Sequence, residues 1–230
     1  VTQHIGIVAG SAEGAALCYR TICLEALAVL GEHNHPEMTL NSVPMAEHMP
    51  FIRANDWEGL ADVLLESARK VTQAGAAFAI CPDNTYHQAF EYLLPRSPIP
   101  WIHIAEAVAE EARRLGYARL GILGTKYLTE GPVYPGALQR FGIEREIPDA
   151  ADRERINDII FKELVNGIFP EASRLYLNEV TDKLKARGCD AVVLGCTELP
   201  LIVRPDDSPL PTLDSTRLLA RAALHRSLEQ

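Results

Sequence analysis

The sequence predicts an α/β protein made of two similar parallel-sheet halves. Three observations carry the prediction: short apolar runs of strand length, longer amphipathic segments between them, and an internal repeat at near-constant spacing. The runs are rich in Ile, Val, Leu and Ala, as expected of parallel strands buried on both faces and joined by helices.

His4 to Ala9 reads as the first strand, and Cys18 and Cys23 fall in a following segment of helical composition. Met38 to Val43 is the second strand, and Trp57 to Gln73 has helical periodicity. Ala77 to Pro82, Trp101 to Ile104, Leu120 to Gly124, Ala191 to Gly195 and Thr212 to Leu213 complete the strands, with Cys189 expected to open the penultimate one. Ala105 to Leu115, Arg153 to Val165, Glu171 to Ala186 and Ser215 to Ser227 complete the helices.

The repeat is visible by self-comparison. Gly75 to Asp83 aligns with Gly188 to Cys196 at a constant offset of 113 residues. Ile5 to Val8 answers Leu120 to Leu123 at 115, and Pro98-Ile99-Pro100 answers Pro209-Leu210-Pro211 at 111. The expected organisation is a first half over 1–115, completed by a C-terminal helix over 213–230, and a second half over 116–212. Ligands of open parallel sheets bind beyond the carboxyl ends of the strands. The two halves are therefore expected to share one cleft, with Ser11 and Thr125 ending the first strand of each half and Asp83 and Cys196 ending the equivalent later strand.

Composition narrows the function. The 230 residues are 47% hydrophobic and 23% charged, enough to bury a normal core. Net charge is −9 with no basic run, which argues against nucleic acid as a partner. Apolar stretches fall short of the roughly 20 residues of a membrane helix, and a strand beginning near Gln3 leaves no room for a signal peptide, so a cytoplasmic enzyme is expected. Five cysteines without C-x-x-C or zinc spacing argue against a disulfide framework and against a metal.

Two segments carry chemistry. In Cys81-Pro82-Asp83-Asn84-Thr85-Tyr86-His87 an apolar strand stops in polar side chains suited to gripping an anion. Asn84 or Thr85 could equally be the N-cap of a helix running to Leu94. In Leu194-Gly195-Cys196-Thr197-Glu198 a thiol follows a glycine beside a hydroxyl and a carboxylate. Composition leaves Cys196 open between core residue and reactive thiol. Gly10 to Gly14 lacks the spacing of a phosphate loop and is expected to be a cleft turn; no G-x-S-x-G elbow is present.

Taken in order, G-C-T-E at 195–198, N-T-x-H at 84–87, Gly124-Thr125, Asn55-Asp56-Trp57-Glu58, the Ile5-Gly6-Ile7 start and Pro211-Thr212-Leu213-Asp214 resemble the aspartate/glutamate racemase superfamily across nearly the whole chain. The resemblance implies two flavodoxin-like halves related by pseudo-symmetry, with the active site in the cleft between them. It also implies proton abstraction α to a carboxylate on one face and reprotonation on the other, with no cofactor (neither pyridoxal phosphate nor metal), and a homodimer. Carried over by position, Cys196 is one catalytic thiol, and Asn84, Thr85, Thr125 and Thr197 grip the substrate carboxylate, with Ser11 a further candidate.

The chain departs from the family's pattern at Asp83, where the family usually has Cys directly before Asn-Thr. Cys81, two residues earlier, is expected to pack beneath the site. The favoured expectation is a racemase or epimerase of a small acidic amino acid, aspartate or glutamate, using an unequal Asp83/Cys196 pair. The alternatives are a one-thiol decarboxylase or isomerase of the same superfamily, and a non-catalytic small-carboxylate binding or sensor protein. No basic side chain stands at the expected place for a second substrate carboxylate: Asn166 occupies it. His48 and Arg53, expected in a loop, could compensate or simply be solvated, and His87 and His103 are expected to be structural.

Overall fold

The computed structural model describes residues 2–229 and divides into two compact units, Val1–Ala107 with Thr216–Gln230, and Val108–Ser215. Each is an α/β unit with a four-stranded parallel sheet.

The first unit runs β1 (Ile5–Ala9), α1 (Ala12–Leu30), β2 (Met38–Ser42), α2 (Met45–Ala54), α3 (Trp57–Gln73), β3 (Phe78–Ile80), a 3-10 segment (Asn84–Ala89), α4 (Phe90–Leu93), β4 (Trp101–Ile102) and into α5 (Ile104–Arg114). Its sheet order is β2-β1-β3-β4. Every residue of β1 and β3 is buried, as a central parallel strand requires. Ile5, Ile7, Phe78 and Ile80 pack with Cys18 and Ile22 of α1, and with Leu219, Ala220, Ala223 and Leu224 of the last helix, α11 (Ser215–Leu228). The Gln3 amide also donates to the Ser227 carbonyl at 2.7 Å.

The second unit runs β5 (Arg119–Leu123), α6 (Lys126–Thr129), α7 (Val133–Arg140), β6 (Glu144–Glu146), α8 (Ala150–Lys162), α9 (Glu171–Ala186), β7 (Ala191–Leu194), α10 (Leu199–Ile202) and β8 (Thr212–Asp214). Its sheet order, β6-β5-β7-β8, repeats that of the first. Leu123, Val192 and Leu194 form its core with Ile156, Ile159 and Ile160 of α8 and Leu177, Val180 and Leu184 of α9.

Paired glycines let a helix lie close on the first strand of each sheet. A methyl group on Gly6 would come within 2.7 Å of Val71 on α3, and one on Gly121, its partner in the repeat, within 2.8 Å of Leu184 on α9.

Several expectations change. β6, Glu-Arg-Glu in sequence, is a charged edge strand that a search for apolar runs misses. The segment holding His48 and Arg53 is the helix α2, and His48 is buried, so the loop and its solvated histidine are corrected. Cys189 does not open β7. Gly188 takes a positive φ after α9, and the Asp190 carboxylate accepts the Ala118 and Arg119 amides, so residues 188–190 form the turn into a strand starting at Ala191. Ala12, Glu13 and Gly14 belong to α1, so the expected Gly10–Gly14 turn shrinks to Gly10-Ser11.

Candidate functional site

In the first unit the carboxyl ends of β1 and β3 converge. The Gly10 amide, just past β1, donates to Asp83 Oδ2 at 2.9 Å, which fixes the carboxylate over the end of its neighbouring strand. Ser11 caps α1, its Oγ accepting the Gly14 amide at 3.1 Å. Asp83 lies at the head of the 3-10 segment, and its carbonyl accepts the Tyr86 amide at 3.1 Å. Asn84 and Thr85 are inside that segment, so neither is the helix N-cap that was the competing expectation. Asn84 is buried and Thr85 half-buried.

Beneath this loop the packing is aromatic and neutral. Tyr86 lies across Gly10 so closely that a Cβ there would sit 2.1 Å from its hydroxyl, and His48 stacks on its ring at 4.7 Å. Burial pushes the His48 imidazole down, against the Pro44 carbonyl and the Glu47 charge that pull it up. His87 Nε2 bonds the Cys81 carbonyl at 2.9 Å, and its ring stacks on Phe90 at 4.0 Å and meets His103 edge-on at 4.6 Å. Complete burial, then His103, holds His87 well below the ordinary histidine range, so it stays neutral. His103 Nδ1 accepts the Ala105 amide at the head of α5. Both rings are tied to backbone groups beneath the loop. Cys81 is sealed from solvent, and its Sγ donates to the Asp83 carbonyl at 3.9 Å. Burial and then the Asp83 charge push that thiol well up, which makes it a poor thiolate.

The second unit repeats the arrangement with other groups. Thr125, past β5, caps α6, its Oγ1 accepting the Leu128 amide at 3.3 Å. On the adjacent β7 the Gly195 amide donates to the Leu123 carbonyl at 2.8 Å, which carries the β5/β7 pairing on to the residue just before Cys196. Cys196 is half-buried and Thr197 buried. Below them Ser215 Oγ donates to the Leu194 carbonyl at 2.8 Å, next to the fully buried Tyr134, whose hydroxyl is driven upward by burial.

The Cys196 thiol donates to Glu198 Oε2 at 2.9 Å, and Glu198 is 4% exposed. Glu198 had no assigned role in the sequence reading, although its position two residues after the cysteine was in plain view. The stacking of His48 on Tyr86 has no sequence signal, since it joins elements far apart in the chain. Asn166 Nδ2 donates to the Phe161 and Lys162 carbonyls at 3.2 Å each, closing the end of α8, and Arg53 lies exposed in the last turn of α2.

Each half thus offers a capped helix start after its first strand and a titratable side chain after its third: a carboxylate in one and a thiol in the other. A family model described as Asp/Glu/Hydantoin racemase matches residues 11–223. A structure of a Yersinia pestis protein assigned to the Asp/Glu racemases is 34% identical, covering 99% of this chain and 100% of that one, with a TM-score of 0.90. An aspartate racemase homologue from Pyrococcus horikoshii OT3 is 28% identical, covering 99% and 100%, with a TM-score of 0.83. The broad specificity amino-acid racemase RacX of Bacillus subtilis is 21% identical over 88% of this chain and 86% of its own.

Proposed function

This chain belongs to the Asp/Glu/hydantoin racemase family, and from that premise we propose that it is an amino-acid racemase or epimerase acting at the α-carbon of a small acidic amino acid, aspartate or glutamate, without pyridoxal phosphate. Asp83 and Cys196 form its unequal acid/base pair. The observation that carries the reading is the equivalence of their positions: both follow the third strand of a four-stranded parallel sheet in the same order.

The chemistry needs one group to take the α-proton, a second to return a proton to the other face, and donors for the negative charge that builds on the substrate carboxylate. Asp83, with one oxygen tied to Gly10 N–H, is oriented to act as base. Cys196, half-buried and carrying a proton toward Glu198, is the partner. Asn84, Thr85, Thr125 and Thr197 are assigned to the carboxylate, with Ser11 in support. Donors fixed in place before the reaction stabilise developing charge without reorganising.

The test is α-proton exchange in D₂O followed by NMR, with both enantiomers of aspartate and glutamate and then of neutral amino acids. Exchange with inversion is expected. Cys196→Ser should abolish inversion while its circular dichroism stays that of the parent; a variant that inverts at the parent's rate would remove Cys196 from the mechanism.

A further inference from the structure

We propose that Glu198 is a positioning residue that keeps Cys196 protonated, so that in the resting enzyme the thiol is the acid and Asp83 the base. The inference rests on the racemase reading and assigns a direction to its unequal pair.

The contact is built into the fold. The Gly195 amide is held by the Leu123 carbonyl at 2.8 Å, the Leu199 amide bonds the Cys196 carbonyl at 3.2 Å, and the Leu201 amide bonds the Glu198 carbonyl at 3.1 Å. Backbone on both sides of the pair is therefore fixed, and Glu198 Oε2 receives the thiol 2.9 Å away in a nearly solvent-free position. A thiol is a much weaker acid than a carboxylic acid, and the hydrogen bond runs from the sulfur to the carboxylate oxygen. A carboxylate at this distance stabilises S–H by accepting its hydrogen bond and repels a thiolate by like charge. Asp83 stands in the opposite state: its oxygen accepts the Gly10 amide, a hydrogen bond that favours the ionised form.

The turnover that follows is balanced. The Asp83 carboxylate takes the α-proton, and the C–H electron pair stays on the substrate as an enolate-like carbanion. The Cys196 S–H bond then breaks, its proton passes to the α-carbon, and its electron pair remains on sulfur. The product state holds Asp83 as carboxylic acid and Cys196 as thiolate beside the Glu198 carboxylate. Repulsion within that second pair drives the thiolate to recover a proton from water while Asp83 releases one. The reverse direction has to begin from a thiolate that Glu198 disfavours. Because two enantiomers are equally stable, kcat/KM must be equal in the two directions, so the asymmetry falls on the pH at which Cys196 ionises and on the saturated rates.

The experiment is alkylation of the whole protein by iodoacetamide as a function of pH, with Cys196 followed by peptide mass spectrometry and half-buried Cys23 as the reference in the same digest. In the parent, half-maximal reaction at Cys196 is expected above the ordinary thiol value of ~8.5. In Glu198→Gln it should move down by about 1 pH unit or more, and in Glu198→Asp, whose carboxylate is set further back, by less. A parent profile at or below the ordinary thiol value overturns the proposal without any variant, and so does a Glu198→Gln profile that superimposes on the parent's. The same proteins tested for α-proton exchange separate the two ideas. An unmoved profile with intact exchange removes Glu198's part alone, whereas a moved profile with no exchange on any amino acid removes the racemase reading alone.

Discussion

His87 is sealed beneath the Asp83 loop with one ring nitrogen on the Cys81 carbonyl, and burial holds it neutral well below the usual histidine range. In the unfolded chain the same side chain titrates near ~6.5. Its contribution to stability is therefore whole above that value. As pH falls below it, the unfolded chain gains a proton that the folded one refuses, and stability declines by up to about 1.4 kcal/mol per pH unit. His48, also pushed down by burial, adds a slope of the same sign. His87→Gln keeps an N–H for the Cys81 carbonyl but has nothing to titrate. Urea unfolding at pH 7, 6 and 5 should show a shallower acid-side loss in this variant, with the His48 share remaining; a slope identical to the parent's would mean that His87 is protonated in the fold. At this scale the sequence showed which side chains were out of place in a core, such as Asp83, Asn84 and Thr197. It could not show that Tyr86 covers Gly10 or that His48 stacks on Tyr86, because that proximity is made by the crossing of β1, α2 and the 3-10 segment.

The elements that position the site are held by close helix–strand contact, and Gly6 tests how close. A methyl group there would meet Val71 Cγ2 at 2.7 Å and both Val71 Cβ and Ala76 Cβ at 3.1 Å. Val71 is β-branched and has little rotamer freedom on α3, so it cannot swing aside. At Gly121 the nearest atom is the Cδ1 of Leu184, the end of a longer and freer side chain. Gly6→Ala is expected to cost about 1–3 kcal/mol in a urea melt, as overpacking does, and Gly121→Ala less; the reverse order would show that α3 relaxes more readily than α9. The same contrast explains what was legible among the elements. β1, β3, β7 and all of β5 after Arg119 are buried and announce themselves as apolar runs, and α3 and α9 fall on the spans that periodicity predicts, Trp57–Gln73 and Glu171–Ala186. β6 is an edge strand of three charged residues stabilised by pairing with β5, and α2 carries Pro50 inside a helix, so neither has a local pattern of its own.

The two sheets share one strand order, and the repeat puts Asp83 and Cys196 at corresponding places after β3 and β7. The duplication was readable because strand cores and glycines repeat at offsets near 113 residues; the different fates of the two strand ends were not, since they depend on what each side chain bonds after folding. Asp83 accepts the Gly10 amide, whereas Cys196 donates its hydrogen bond to Glu198. Asp83→Cys makes the two groups chemically alike. It costs the fold the acceptor for Gly10 N–H, a loss of about 1 kcal/mol. The difference between the saturated rates for the two enantiomers should narrow by roughly tenfold for each pKa unit by which the pair becomes better matched. Progress curves at saturating concentrations of each enantiomer give the ratio directly. A ratio unchanged from the parent would show that Asp83 is not a proton-transfer group, and Cys196 would then be working alone. A ratio that narrows without reaching unity is expected from an acid/base feature that the duplication does not repeat, the Glu198 carboxylate against the thiol. Adding Glu198→Gln to Asp83→Cys should then bring the two directions together.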